Sequence, residues 1–364
     1  MLKNGRISAL QMAIMMHPTI VSTAILIAPS ITGRFAKQDL WLSPIWGSAT
    51  GFLAVYFVYK LNHFFPKKTF IEYSKDILGS FPAKAVGVLF LMFYLFLTGL
   101  ALRQYGEFVI GNFLTRTPSI VITVSMIIVC ALAVKGGIEV IARTAQVFMP
   151  VVAAVIIFIS ILLIGDLNFK NIFPIMGQGL MPSLIGAIVP SAWNSEFFLL
   201  SLLFPFINDA KKGLKLGMIT VVAVMFMLVI ANLYSLFLFG NATSIFIYPV
   251  MTATRYINVA DFLQHVEAFV MAVWIPGIFI KISVLYYAIV LGTAQLLNLS
   301  DYRPIVFPVG FLLTVFCYWS IPNLSILYDI LKNIWPLFWL FHIAIPLILL
   351  IIAFVRKKRA ECKK

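Results

Sequence analysis

Charge is scarce in this sequence, and acidic charge scarcest: 13 Asp and Glu stand against 27 Lys and Arg in 364 residues, 62% of them hydrophobic and 11% charged. So little polar surface cannot coat a water-soluble globule, which leaves a polytopic helical membrane protein. Cysteine is limited to three residues; Cys130 and Cys317 lie in apolar runs and Cys362 in a basic tail, so neither a disulfide framework nor a thiolate metal site can be assembled. The four histidines, His17, His63, His265 and His342, are dispersed, which disfavours an imidazole metal cluster. A phosphate-cradling glycine loop and a nucleophile with base and orienter are both missing, so nothing points to an enzyme or a cofactor. The net charge of +14 does not point to nucleic acid, because the basic residues are scattered between apolar runs without interleaved aromatics.

What the chain does have is apolar length. Ten runs approach the roughly 20 residues that a helical crossing needs: 7–31, 41–59, 85–113, 119–134, 144–164, 184–206, 216–239, 266–297, 305–321 and 334–355. The first follows Lys3 and Arg6 in the manner of a signal peptide but is too long for one, and it is expected to be retained. Placing the amino terminus in the cytoplasm puts most Lys and Arg there, with both termini inside. The heaviest basic groups are 60–84 and the tail 356–364, the tail reading as a stop-transfer and lipid-headgroup anchor. Within the first of these, Phe70, Tyr73, Ile77 and Leu78 recur at helical spacing, predicting a short interfacial helix.

The run 184–206 breaks the pattern. Pro190, Ser191, Asn194 and Glu196 sit in its middle, where each polar group needs a partner or a purpose. Pro190 lacks a backbone donor, and Asn194 or Ser195 can cap a restarted helix, so two half-helices meeting at the midplane are expected. A proline kink satisfied by neighbouring helices is the competing reading. Five spans earlier, Pro18 and Pro29 flank Ser22, Thr23 and Ala24. Paired interruptions in corresponding spans point to an inverted repeat with a site between its halves, here 7–164 and 184–355 within one membrane domain.

Five stretches, in order and spacing, resemble the B subunit of bacterial spore germinant receptors, the spore-permease branch of the amino acid, polyamine and organocation transporter superfamily. They are TFIEYSKDILG after span 2, FPIMGQGL before span 6, Glu196 with Pro205, VEAFVMAVWIPGIF opening span 8 and YWSIPN closing span 9. The resemblance implies an all-α leucine-transporter-type fold of ten helices with spans 1 and 6 broken. It also implies residence in the spore inner membrane, a small-molecule germinant, and partnership with a receptor A subunit and a lipoprotein C subunit. Where the family commonly has glycines in span 1, this chain has Ser22, Thr23 and Ala24, a stiffer backbone for a full transport cycle.

The expected ligand site therefore joins Ser22, Thr23 and Ala24 to Trp193, Asn194, Ser195 and Glu196. Tyr94 and Thr98 share a face of span 3 and either line the cavity or serve in helix packing. Lys281, deep in span 8, must face the protein interior. In the fold that the resemblance implies, spans 1 and 8 flank a place where related transporters hold sodium. Lys281 is expected to fill it as a tethered cation with span 1 carbonyls and Ser283 as partners; a salt bridge to Glu196 or another carboxylate, or snorkelling from a tilted helix, is the other reading. Three functions follow: a receptor subunit binding an amino acid, sugar or nucleoside; a proton- or sodium-coupled amino acid transporter; or an assembly subunit that binds nothing. The resemblance favours the first, the fold alone the second.

Overall fold

The computed structural model describes residues 5–255 and 267–361, with side chains as far as Arg356. His265, Cys362, the first residue of the run 266–297 and the end of the basic tail lie outside the described residues. Helix α1 (Ala9–Ala36) continues through a tight 3-10 stretch (Lys37–Leu42) into α2 (Ser43–Phe64). The short α3 (Phe70–Leu78) precedes α4 (Ser80–Asn112), α5 (Ser119–Gly136) and α6 (Ile138–Leu163). Span 6 is built of pieces: α7 (Met181–Gly186), α8 (Ile188–Ser195), a 3-10 turn (Glu196–Leu199), α9 (Leu200–Leu203) and a second 3-10 turn (Phe204–Phe206). Then come α10 (Ala210–Phe239), α11 (Pro249–Thr254), α12 (Glu267–Leu296), α13 (Val306–Trp319), α14 (Leu324–Asn333), α15 (Trp335–Trp339), a π turn (Leu340–Ala344) and α16 (Ile345–Glu361).

These helices make ten crossings. The helical stretch Ala9–Phe64 is 56 residues long, roughly 84 Å if straight, far more than a bilayer, and it folds back on itself. Asn232 of α10 donates to Thr32 Oγ1 at 3.3 Å and to Leu40 O at 2.8 Å, whereas Gly217, near the start of α10, packs on Val55. Ile7 and Ile207 bridge just before α1 and α10 begin. Helix α1 thus runs with α10 and α2 runs against it. At the end of span 9, α13 bends by 99° into α14, whose Asn323 cap accepts the Ile326 N–H at 2.9 Å. Sequence reading missed α14, although an Asn cap followed by Leu324, Leu327 and Leu331 is a helical signal.

The interfacial helix expected after span 2 is present as α3, closed by a capping box in which the Thr69 and Glu72 side chains satisfy each other's backbone N–H. Its buried face carries Phe70, Tyr73 and Ile77. Phe70 meets Phe90 of α4 at 4.3 Å and Phe198 of span 6 at 5.5 Å between ring centroids.

Two expectations are corrected. Span 1 is not two half-helices: α1 is continuous, with Pro18 and Pro29 inside it. Ser22 and Thr32 turn their hydroxyls onto the Pro18 and Ala28 carbonyls four residues back, as hydroxyls inside a helix commonly do. In span 6, Pro190 sits in the first turn of α8 and ends nothing, as befits a residue needing no N–H there. The interruption falls instead after Ser195, and neither Asn194 nor Ser195 caps it; they donate back to Pro190 O at 2.9 Å and Ala192 O at 2.6 Å.

Span 6 leans on α2 through a bare patch. A Cβ on Gly47 would lie 2.8 Å from Pro190 Cβ and 2.9 Å from Ser191 N, and Thr50 donates to Ser191 O at 2.6 Å. Gly47→Val should therefore force the two spans apart at a cost of about 1–3 kcal/mol, read as a lowered thermal midpoint of the purified protein. An unchanged midpoint would show that the contact yields without strain.

Candidate functional site

The charged centre of the molecule is an ion pair with almost no access to solvent. Lys281 Nζ of α12 lies 2.8 Å from Glu196 Oε2 and 3.1 Å from Oε1, and it donates to Thr23 Oγ1 of α1 at 2.9 Å; both charged side chains are 1% exposed. An ammonium at this depth has no headgroup within reach, so it takes oxygen from the protein, and three oxygens from two other spans surround it. The salt bridge is thus the arrangement adopted, with a span 1 hydroxyl as third partner. Ser283 is corrected: two residues apart on a helix, it and Lys281 point to nearly opposite faces, and Ser283 takes no part.

Around the pair lies a crevice of about 10 Å³ lined by Thr23, Leu97, Leu100, Ala101, Gln104, Trp193, Glu196, Lys281, Leu331 and Phe338. Pockets that hold small ligands ordinarily begin near about 300 Å³, so the crevice as it stands is shut. Trp193, Leu331 of α14 and Phe338 of α15 are among its walls. Gln104 donates across the crevice to Thr23 O at 2.9 Å, and Trp274 of α12 donates to Ser22 O at 2.5 Å. Two successive carbonyls of α1 are therefore tied sideways to other helices.

Of the residues read from the sequence, Thr23, Trp193, Glu196 and Lys281 come together here. Ser22 binds Pro18 O and lines a separate apolar cavity with His17; Ala24 is wholly buried and lines neither. His17 has no hydrogen-bond partner among the described residues. Asn194 is buried against α2, its Oδ1 close to Gly51. Ser195, Tyr94 and Thr98 belong to an adjoining polar knot. His342, at the middle of the π turn, has Nδ1 3.0 Å from Ser195 Oγ and Nε2 3.0 Å from the Tyr94 hydroxyl, while Thr98 donates to Tyr94 O at 2.7 Å. One imidazole thus joins spans 3, 6 and 10.

Sequence reasoning passed over His342 as one of four scattered histidines. The rule that singled out Glu196 and Lys281, an ionisable group inside an apolar run, applied to it equally. Pro346, which cannot donate to the His342 carbonyl, marks the same spot. Among the described residues, no group of three His, Cys, Asp or Glu is placed to hold a metal ion.

A family model described as "Spore germination protein" matches residues 6–325. The chain belongs to the spore germination protein family. Among relatives, spore germination protein KB of Bacillus subtilis (strain 168) is 27% identical over the whole chain and 98% of its own length. Spore germination protein XB of Bacillus anthracis is 22% identical over 76% of this chain and 77% of its own. Two solved transporters share the fold. A sodium-coupled sialic acid symporter in a substrate-bound outward-open state aligns over 93% of this chain and 79% of its own, with TM-score 0.67 and 13% identity. Mhp1, a nucleobase-cation-symport-1 family transporter in a closed conformation with bromovinylhydantoin bound, aligns over 96% and 78%, with TM-score 0.71 and 12% identity. This spore germination protein is therefore an integral membrane protein of leucine-transporter-type fold.

The pair's worth is measurable. Lys281→Met leaves a buried carboxylate and Glu196→Leu a buried ammonium, and each should lower stability by about 3–5 kcal/mol; joining the two substitutions removes both charges and should recover most of the loss. A double-mutant cycle on unfolding in detergent reads this coupling, and additive losses would show that the pair does not act as a unit.

Proposed function

We propose that this chain is the germinant-binding subunit of a spore receptor, with its ligand site at the Lys281–Glu196 pair, in the spore inner membrane and with both termini cytoplasmic. The observation that carries the reading is that a carboxylate and an ammonium, each buried, face one closed crevice at the junction of spans 1, 3, 6 and 8. A neutral guest gains nothing by separating the two, because each charge would be left alone in a low dielectric. A small zwitterion does better. Its carboxylate takes the Lys281 ammonium and its own ammonium takes Glu196, so the pair opens without any charge losing its partner. We accordingly favour an α-amino acid over a sugar or nucleoside.

Sensing, more than carriage, suits the state of span 1. It is a continuous helix whose Ser22 and Thr23 carbonyls are tied to Trp274 and Gln104, a clamp where a hinge would be needed for cycling. The Lys281 ammonium supplies the positive charge at the junction with spans 6 and 1, so no sodium ion is required there. Opening the pair displaces Glu196 and the turn that follows it, and receptor A and C subunits packed on the outside read that shift as a change between two states.

Titration of the purified chain with α-amino acids, sugars and nucleosides tests the reading. An amino acid should bind, with equal affinity in sodium and choline buffers, and Glu196→Gln should weaken it by at least about tenfold, the worth of one charge-assisted hydrogen bond. Binding of a sugar or nucleoside alone would keep the receptor and discard the zwitterion; sodium-dependent binding would discard the tethered cation. Binding of nothing, by the chain or by the reconstituted receptor, would leave an assembly subunit.

A further inference from the structure

A second polar cleft lies far from the ion pair, where α3, the first turn of α4 and the last turn of α12 meet. Its walls include Lys67, Lys68, Lys75, Lys84, Ser80 and Gln295. Two carboxylates also line it, and both are engaged: Asp76 pairs with Lys68 at 2.6 Å, and Glu72 closes the capping box by accepting the Thr69 N–H at 2.9 Å. Lys75 and Lys84 are exposed and have no partner among the described residues. The Nε2 of Gln295 is buried without an acceptor, its Oε1 already taken by Thr69 at 2.6 Å. The 33-residue helix α4 starts here with neither a side-chain cap nor an acidic residue in its first turn, so its positive end adds to the field. The cleft is an array of donors short of an acceptor.

Its level along the membrane normal says which acceptor. Beside Ser80, Phe81 stands 86% exposed, and α4 enters its apolar run within two turns, so the cleft lies at the edge of the hydrocarbon. Arg356, where the last helix leaves the membrane, donates to Asp76 O at 3.2 Å and brings the basic tail to the same rim. We propose that this cleft binds the headgroup of an anionic phospholipid, its phosphate oxygens received by Lys75, Lys84 and the Gln295 amide. The bound headgroup would brace α3, whose Phe70 rests on Phe198, two residues beyond Glu196.

Native mass spectrometry of the full chain, released from detergent with phosphatidylglycerol or phosphatidylcholine, reads the site directly. The native protein should retain phosphatidylglycerol preferentially. Lys75→Gln with Lys84→Gln should reduce that preference about thirtyfold, on the scale of two basic groups at a membrane surface. Lys211→Gln with Lys212→Gln, two exposed lysines outside the cleft, should leave it unchanged. Equal loss in both double variants, or none in the first, overturns the site. Displacement of the lipid by glycerol 3-phosphate at comparable concentration overturns the lipid as its occupant in favour of a free phosphate. Both double variants replace exposed side chains only, and an unchanged thermal midpoint checks that the fold survives.

Discussion

Two opposite charges buried at the middle of a membrane protein constrain the rest of it. Neither Lys281 nor Glu196 can reach water, so the helices that carry them must meet where an ammonium and a carboxylate touch, and a third oxygen from Thr23 completes the set. That requirement aligns α12 with span 6 and draws span 1 against both. It also accounts for the uneven backbone of span 6. Glu196 opens a 3-10 turn, and its neighbours Asn194 and Ser195 spend their side chains on carbonyls within the helix that precedes it. Span 6 also needs close contact with α2, which offers Gly47 and not a side chain where it crosses Pro190.

The features legible in the sequence were those set by transfer free energy. A long apolar run crosses because its backbone must be satisfied internally, so the ten spans could be read from composition and length. An ionisable residue in such a run must face inward, so Glu196 and Lys281 could be singled out one at a time. Which partner each would choose was harder, since it depends on how helices more than 80 residues apart in sequence are rotated against each other. Even so, the 3.6-residue period was enough to exclude Ser283 from the face of Lys281. The prolines misled for a different reason. Pro18 and Pro29 each remove one backbone donor, but the rest of the helical ladder holds, and α1 runs through both positions.

Span 1 shows how a helix can stay intact and still be part of a site. Its Ser22 and Thr23 carbonyls accept from Trp274 and Gln104, side chains of spans 8 and 3, in addition to lying within the helical ladder. A carbonyl has two lone pairs, and the second is available to a neighbour without unwinding the first bond. The junction of spans 1, 3, 6 and 8 is therefore stitched by backbone acceptors and side-chain donors. Serine and threonine at positions 22 and 23 add the hydroxyls that a glycine pair would lack. The Ser22 hydroxyl turns back onto the Pro18 carbonyl; that of Thr23 completes the shell of Lys281.

Motion at the pair is passed on by contact. Glu196 cannot be displaced without Phe197 and Phe198, which are wholly buried, and Phe198 abuts both Phe70 of α3 and Phe90 of α4. On the other side of the same turn, Ser195 is held by His342, whose ring is boxed by Phe93 and Phe338, and Phe338 is also a wall of the crevice. The aromatic set is rigid and densely packed, so it has few intermediate arrangements available to it. A ligand that enlarges the crevice must push Phe338 outward, carry Glu196 and its turn inward, or both. Either movement strains the hydrogen bonds of His342, because the imidazole is tied at once to Ser195 on span 6 and to Tyr94 on span 3. The π turn that carries His342 is the one place in span 10 where the helical ladder is already irregular. The imidazole thus couples the turn that carries Glu196 to the irregular turn of the last span.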